Sequence, residues 1–296
     1  MSAIEAETMQ LFSLMKEKFQ IGSGPKILYH YTNIYGLEGI LKNKEFWVSN
    51  ASFLNDKTEI RYTLALSREI LLKLCEERQI DESEYLSFFE VFVKSRLEEI
   101  SLEYYLLSFC TNPDSNLLWS NYSNNDGYNI SFKFPDIGVD YQDETGVYPW
   151  SAYVIYDKNE QRKILKEYIE RIIEIVDYIG SLETEELEEV IFDRLGVVLG
   201  ALKLSSLFFK DECFSQEEEF RIAFTKDKDT FCRISNGAFI PYITAGFKKE
   251  SVTGITIGPK NNMDITMEGL VQFLNLHEYN HITKDAIRKS CIPYRY

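Results

Sequence analysis

The side chains best suited to do chemistry lie in Cys213–Phe224, CFSQEEEFRIAF, where charged residues are interleaved with aromatic and aliphatic ones. Read as a strand, Phe220, Ile222 and Phe224 fall on one face and Glu217, Glu219 and Arg221 on the other, because successive side chains point to opposite sides. Two carboxylates and a guanidinium then share a side. On a cleft wall this set would make Glu219 a charged catalytic group, with Glu217 beside it and Arg221 holding the pair ionised. On the solvent face of an antiparallel strand the same pattern would be ordinary. Other candidates are spread along the chain: His30-Tyr31-Thr32, Ser49, Asn55-Asp56, Ser108, and Trp119 with Tyr122 three residues on. A lone histidine such as His30 serves equally as a hydrogen-bonded core residue, and the two aromatics equally as core.

The elements that must position these residues are legible from periodicity. Glu5–Phe19 reads as an amphipathic helix, ended by IGSGP. Lys26–Thr32 is a short strand with Tyr29 and Tyr31 on one side and Leu28 and His30 on the other. Asn33–Asn43 is a helix, FWVSN a strand, and Asn55-Asp56 caps a long helix with Glu59 in its first turn. Ile60–Glu77 and Glu82–Ile100 are acidic outside with one apolar stripe. Tyr104–Cys110 is a buried strand that puts Ser108 near its end, and TNPDSN is turn chemistry. Leu117–Tyr122 forms a short helix, and an NNDG turn reverses the chain into the strand YNISFKF. Val147–Tyr156 is a strand. Glu160–Ile179 and Glu183–Ser206 form a helical hairpin, after which come the acidic strand, strands at Phe231–Ile234, Ala238–Ile243 and Val252–Ile257, and a closing helix at Met263–Asn275.

At 296 residues and 45% hydrophobic, the chain can bury one large core. It shows no internal repeat, no low-complexity tract and no dividing linker, so a single α+β domain over 1–296, with a helical insertion at 159–206, is expected. The net charge of -15 argues against non-specific phosphate binding. A local cluster of Lys203, Lys210, Arg221, Lys226 and Lys228 keeps RNA or DNA open as a partner. Five cysteines, widely spaced and odd in number, read as reduced thiols of a cytoplasmic protein. No apolar run is long enough for a bilayer, so no membrane partner is expected. His277 and His281 have helical metal spacing, but Asn280 sits at a break and no third ligand is near; a surface pair is the expectation, with no metal.

In order, the motifs are H-Y-T at His30–Thr32, F-x-N-D-x-x-E at Phe53–Glu59, Ser108-Phe109, L-W-x-x-Y at Leu118–Tyr122, E-x-E-x-R at Glu217–Arg221 and I-G-P at Ile257–Pro259. Over almost the whole chain this pattern resembles a bacterial family of domains of unknown function. It also resembles the ADP-ribosyltransferase superfamily, in the clade with a histidine on the first core strand, a tyrosine in the middle unit and a glutamate on a late strand. The resemblance implies a split, antiparallel-rich sheet with helical insertions and NAD as substrate. It implies transfer of ADP-ribose to a macromolecular acceptor, protein or nucleic acid, by a toxin or anti-phage defence effector that a neutralising antitoxin could hold. NAD hydrolysis and a non-catalytic nucleotide- or partner-binding module are the alternatives. Breaking the nicotinamide–ribose bond passes through an oxocarbenium-like transition state, which a carboxylate stabilises. By resemblance that is Glu219, with Glu217 orienting the acceptor or holding a ribose hydroxyl. His30, with Tyr31 and Thr32 at the same edge, would bind ribose. Tyr122 or Trp119 would stack on nicotinamide, and Ser108 and Arg221 complete the NAD-binding set. A glycine-rich phosphate loop is missing.

Overall fold

The computed structural model describes residues 13, 15, 17–19, 24–53, 58–95, 97, 104–122, 127–134, 136–137, 150–180, 194–225, 229–235, 237–261 and 263–293. The Asn55-Asp56 cap, Lys226, Lys228, most of the NNDG turn and most of the first helix lie outside them. Contacts divide the chain into two compact units. One contains Met1–Ile21, Asn50–Tyr104 and Ala152–Ser215; the other contains Gly22–Ser49, Tyr105–Ser151 and Gln216–Tyr296.

The first unit is helical. Lys158–Ile179 starts where the Asp157 carboxylate accepts from Glu160 N at 2.8 Å, and its apolar stripe of Ile164, Leu165, Tyr168, Ile169, Ile172 and Val176 is buried. It packs with Thr58–Arg78 and Gly196–Phe208. The helices expected as an insertion thus share one core with a helix that precedes them by some eighty residues. Buried Gln161 fastens this unit: its amide donates to the carbonyls of Ile155 (2.6 Å) and Lys210 (2.8 Å) and accepts from Tyr62 Oη (2.6 Å). The helix expected over Glu82–Ile100 does not keep α geometry throughout: it is α-helical over Glu82–Phe88 and again at Ser95 and Leu97. A wider π turn lies between, at Phe89–Lys94, and buries Phe89 and Val93. Among the described residues no helix is long and apolar enough to cross a membrane.

The second unit is built on a mostly antiparallel sheet. The strands of the chain are β1 (Ile27–Thr32), β2 (Glu45–Asn50), β3 (Tyr104–Cys110), β4 (Tyr128–Lys133), β5 (Trp150–Tyr153), β6 (Glu219–Thr225), β7 (Phe231–Ser235), β8 (Ala238–Gly246), β9 (Val252–Ile257) and β10 (Ile287–Lys289). The order is β10-β9-β4-β1-β3-β2-β8-β7, with β6 also pairing with β3 and β5 pairing with β6. β1 runs against β4 along its whole length, from Ile27↔Lys133 to Thr32↔Tyr128, but meets β3 in one registered pair, Tyr29↔Cys110. Phe46, Phe109, Phe132 and Phe247 fill one face, with ring centroids 5.0–6.0 Å apart. The helix Ile34–Asn43 begins at Asn33, whose side chain accepts from Gly36 N at 2.9 Å, and ends on Lys44 in a left-handed conformation, φ 57°.

The I-G-P segment ends β9 against the helix that carries Trp119. Gly258 N donates to the Gly127 carbonyl at 2.8 Å, and a Cβ at Gly258 would sit 2.7 Å from that oxygen and 3.3 Å from the Trp119 ring. Only glycine fits there. Gly258→Ala should therefore destabilise the protein by about 1–3 kcal/mol, read as a lower urea midpoint; an unchanged midpoint would mean the backbone has room.

Candidate active site

The acidic segment folds differently from one continuous strand. Glu212–Glu217 is a 3₁₀ turn, Glu218 takes φ 47°, and β6 begins only at Glu219. Glu217 is buried at the end of the turn, so it is not the strand neighbour of Glu219 that alternation would make it. From Phe220 to Phe224 the strand is buried on both faces, which overturns the solvent-facing alternative. Arg221 is only 2% exposed and Glu219 11%, and the guanidinium Nε donates to Glu219 Oε2 at 2.6 Å. Burial makes this charge-assisted bond matter, because a desolvated guanidinium without a carboxylate is very costly.

A second construction holds the chain that meets β6. The Glu218 carbonyl accepts from Thr111 N at 3.0 Å, and its carboxylate accepts from Asn112 Nδ2 at 2.9 Å. Thr111–Ser115 is pinned from behind by Tyr31, whose hydroxyl donates to the Asn112 carbonyl and accepts from Ser115 N, both at 2.8 Å. Asn129 Nδ2 donates to the Pro113 carbonyl at 2.8 Å. Asp114 is the hub: Oδ1 accepts from Trp119 Nε1 and Ser290 Oγ, both at 2.6 Å, and Oδ2 accepts from Cys291 N at 2.7 Å. Tyr31 meets Trp119 edge-on at 4.8 Å, and Ile292 packs against the same cluster. Together these segments bound a cleft of about 450 Å³ whose walls include Asn112, Asp114, Ser115, Ser120, Gln216 and Glu218. Asn112, Asp114, Asn129 and Glu218 were not among the sequence candidates. The only signal for Asn112 and Asp114 was their place in a proline-containing turn, which reads the same when the turn merely ends a strand, and Asn129 and Glu218 gave none.

The remaining candidates divide by face. Tyr31 and Trp119 are spent on this frame; Trp119 is 2% exposed and offers no open ring, whereas Tyr122 on the same helix is 40% exposed. His30 points to the opposite side of β1 from Tyr31. Its ring lies 5.2 Å from Phe46 and 5.7 Å from Phe109. Burial lowers its pKa from 6.5 to about 4, against which a hydrogen bond to the Ser108 backbone acts. His30 is therefore neutral at physiological pH. Ser108, half-buried, lies on β3, which pairs with both β1, the strand of His30, and β6, the strand of Glu219. Thr32 Oγ1 lies where a Cβ on Gly36 would stand, 1.9 Å away, so its edge is closed by the following helix. Ser49 Oγ accepts from Arg233 at 2.9 Å.

No basic groove arises from the described members of the cationic cluster. Lys203 lies over the Tyr104 ring at 4.4 Å, buried Lys210 over Phe214 at 4.9 Å, and Arg221 on Glu219. His281 Nε2 is 3.0 Å from the Val252 carbonyl and His277 packs on Phe273 at 4.5 Å. Among the described residues no group of three or more His, Cys, Asp or Glu could hold a metal ion.

The lowered pKa of His30 has a consequence for stability. The unfolded chain takes up this proton first, so the contribution of neutral His30 is complete above pH 6.5 and is lost as pH falls toward about 4. The loss should reach about 3 kcal/mol. Urea unfolding of wild type and His30→Gln at about pH 7 and about pH 4.5 checks this: the variant should lose less stability between the two, and equal losses would contradict a desolvated neutral imidazole.

A family model described as a protein of unknown function (DUF2971) matches residues 118–222. The match runs from the Trp119 helix into β6 and includes Tyr122, Glu217, Glu219 and Arg221. No curated protein and no solved structure matches the chain.

Proposed function

We propose that this protein transfers ADP-ribose from NAD to an intracellular macromolecule, with Glu219 as the catalytic carboxylate. The observation that carries the reading is the Arg221–Glu219 pair: a carboxylate 11% exposed, held by a guanidinium that is itself almost wholly buried, at the first residue of a strand and next in sequence to Glu218 of the polar cleft, whose lining does not include Glu219 itself. The pairing of β1 and β6 with β3 supports it, since it draws His30 and Glu219, far apart in sequence, to strands that share β3 as a neighbour. In the reaction the bond between ribose C1′ and nicotinamide breaks and nicotinamide leaves with the electron pair. Glu219 stabilises the positive charge on the ribose, and an acceptor nucleophile bonds to C1′ and gives up its proton. Tyr122, the accessible aromatic of its helix, stacks on the cationic nicotinamide ring. Neutral His30, with one ring nitrogen bonded to the Ser108 backbone, keeps its other nitrogen for a ribose hydroxyl. The described cleft walls carry carboxylates, amides and hydroxyls but no basic side chain, which suits the nicotinamide riboside half of NAD better than its pyrophosphate.

A non-catalytic binding module is the second reading. Two observations favour it: Tyr31 and Trp119 are committed to structural hydrogen bonds, and the His30 ring is boxed by Phe46 and Phe109. An effector role, and control by a neutralising antitoxin, belong to the first reading alone.

Purified protein incubated with labelled NAD and a lysate divided into protein and nucleic-acid fractions separates these. Label in one fraction, lost in Glu219→Gln, is the expected result; release of nicotinamide without label would make the protein a hydrolase, and no NAD consumption would favour the binding module. Glu219→Gln should reduce turnover on the order of a thousandfold. Glutamine still offers Arg221 an acceptor, so the variant should stay cooperatively folded though less stable by about 1–3 kcal/mol. Tyr122→Ala should raise the KM for NAD roughly tenfold while kcat changes less; a change in folding alone would remove the stacking role.

A further inference from the structure

Transfer needs a second group besides the carboxylate that steadies the ribose cation, because the acceptor must be held at C1′ and its proton must have somewhere to go. The E-x-E resemblance gives the acceptor to Glu217, yet that residue is 7% exposed at the end of the 3₁₀ turn, whereas Glu218 is exposed and lines the cleft. Glu218 also has the least expected backbone. Four non-glycine residues among those described have positive φ. Lys44, Gln79 and Glu278 follow the C-terminal ends of the helices Ile34–Asn43, Thr58–Arg78 and Met263–Leu276, where a left-handed residue closes the last turn. Glu218, at φ 47°, stands instead between the 3₁₀ turn and β6, in a conformation that glycine would take at lower cost. Thr111 holds it there: its N and Oγ1 donate to the Glu218 carbonyl at 3.0 and 3.3 Å. Asn112 Nδ2 donates to Glu218 Oε1 at 2.9 Å, and the Asn112 carbonyl is itself fixed by Tyr31 at 2.8 Å. Oε2 has no hydrogen-bond partner among the described residues.

We infer that Glu218 is the residue that receives the acceptor, a protein side chain bringing an N–H or O–H group to the cleft, and that it takes the acceptor's proton as the bond to C1′ forms. The inference rests on ADP-ribosyl transfer with Glu219 as the catalytic carboxylate, and it assigns the second role at the same site. As nicotinamide leaves C1′ with the electron pair of the broken bond, a lone pair of the acceptor forms the new bond to C1′, and the acceptor's proton passes to Glu218 Oε2 and from there to water. Glu219 is committed to Arg221 at 2.6 Å, which leaves Glu218 as the carboxylate with an oxygen turned to other use. A residue kept in a costly conformation on a cleft wall, with its side chain aimed by a neighbour that is itself pinned, is how a binding group is held ready. The described walls around it, Asn112, Asp114, Ser115, Ser120 and Gln216 among them, carry no basic side chain. A phosphate-bearing strand finds no counter-charge there, so a protein donor is favoured over nucleic acid.

Label transfer from NAD to lysate protein, measured beside NAD affinity by calorimetry on the full chain, tests the assignment. Glu218→Gln keeps an acceptor for Asn112 but cannot take a proton; it should label protein roughly a hundredfold less than wild type and still bind NAD within a few-fold of it. Glu218→Asp, which restores a carboxylate, should regain part of the label. Glu218→Gly needs no NAD to be informative: glycine relieves φ 47°, so its urea midpoint should match or exceed that of wild type. A clearly lower midpoint would mean that the side chain is there to hold the fold, and would overturn the assignment. Undiminished labelling by Glu218→Gln, while Glu219→Gln labels nothing, would overturn it and leave the transferase reading standing. Loss of NAD binding in Glu218→Gln, or label confined to nucleic acid, would also overturn it. No NAD consumption by wild type would remove the transferase reading and this role with it.

Discussion

A guanidinium almost wholly removed from water cannot be left without an anion. Arg221 lies on a strand buried on both faces, and Glu219, two residues earlier, answers it at 2.6 Å. Desolvation of the pair is offset only while both partners stay in place, since losing one partner of a buried pair costs about 3–5 kcal/mol. That constraint orients the Glu219 carboxylate and sets where β6 can begin. The backbone before it must then leave the strand at once, which it does through Glu218 at φ 47° and the 3₁₀ turn behind it. The same residue bridges to Thr111 and Asn112, so the ion pair, the turn and the cleft wall are mechanically one piece.

Polar side chains elsewhere in this unit are used twice. Tyr31 both donates and accepts, tying two backbone groups of the Thr111–Ser115 loop, while Asp114 gathers three donors from the Trp119 helix and the segment after β10. A loop with so many bonds is a rigid wall, and rigid walls are what a polar binding cleft requires. The cost is that the residues doing this work are withdrawn from ligand. His30 shows the complementary case: the face of β1 that does not serve the loop faces the phenylalanine cluster, where a charged imidazole is disfavoured.

Much of the fold was legible before the structure. Asn33 ahead of an apolar stripe starts a helix where expected, and Tyr104–Cys110 and Tyr128–Lys133 are strands. The candidate site was legible in part. Glu219 and Arg221 were visible as a pair because a strand places residues two apart on one side. Glu217 was assigned to that side by the same rule and is instead buried in a 3₁₀ turn, since no periodicity in EEEF marks where the strand starts. The helices of 159–206 read as an insertion because their order in the chain says nothing of the earlier helix with which they pack.

The sequence by itself determined the quantities that depend on near neighbours: helix and strand periods, caps and the alternation of β6. Such signals arise from interactions within a few residues, and the chain carries them wherever it goes. Only the tertiary structure decided which polar groups are consumed and which are free. Asp114 and Ser290 are 176 residues apart in sequence, and Asn112 and Glu218 are 106 apart. Whether Trp119 is a stacking ring or an anchored core residue follows from which elements lie side by side. Strand order is set by burial summed over the whole sheet, and no local spacing encodes it.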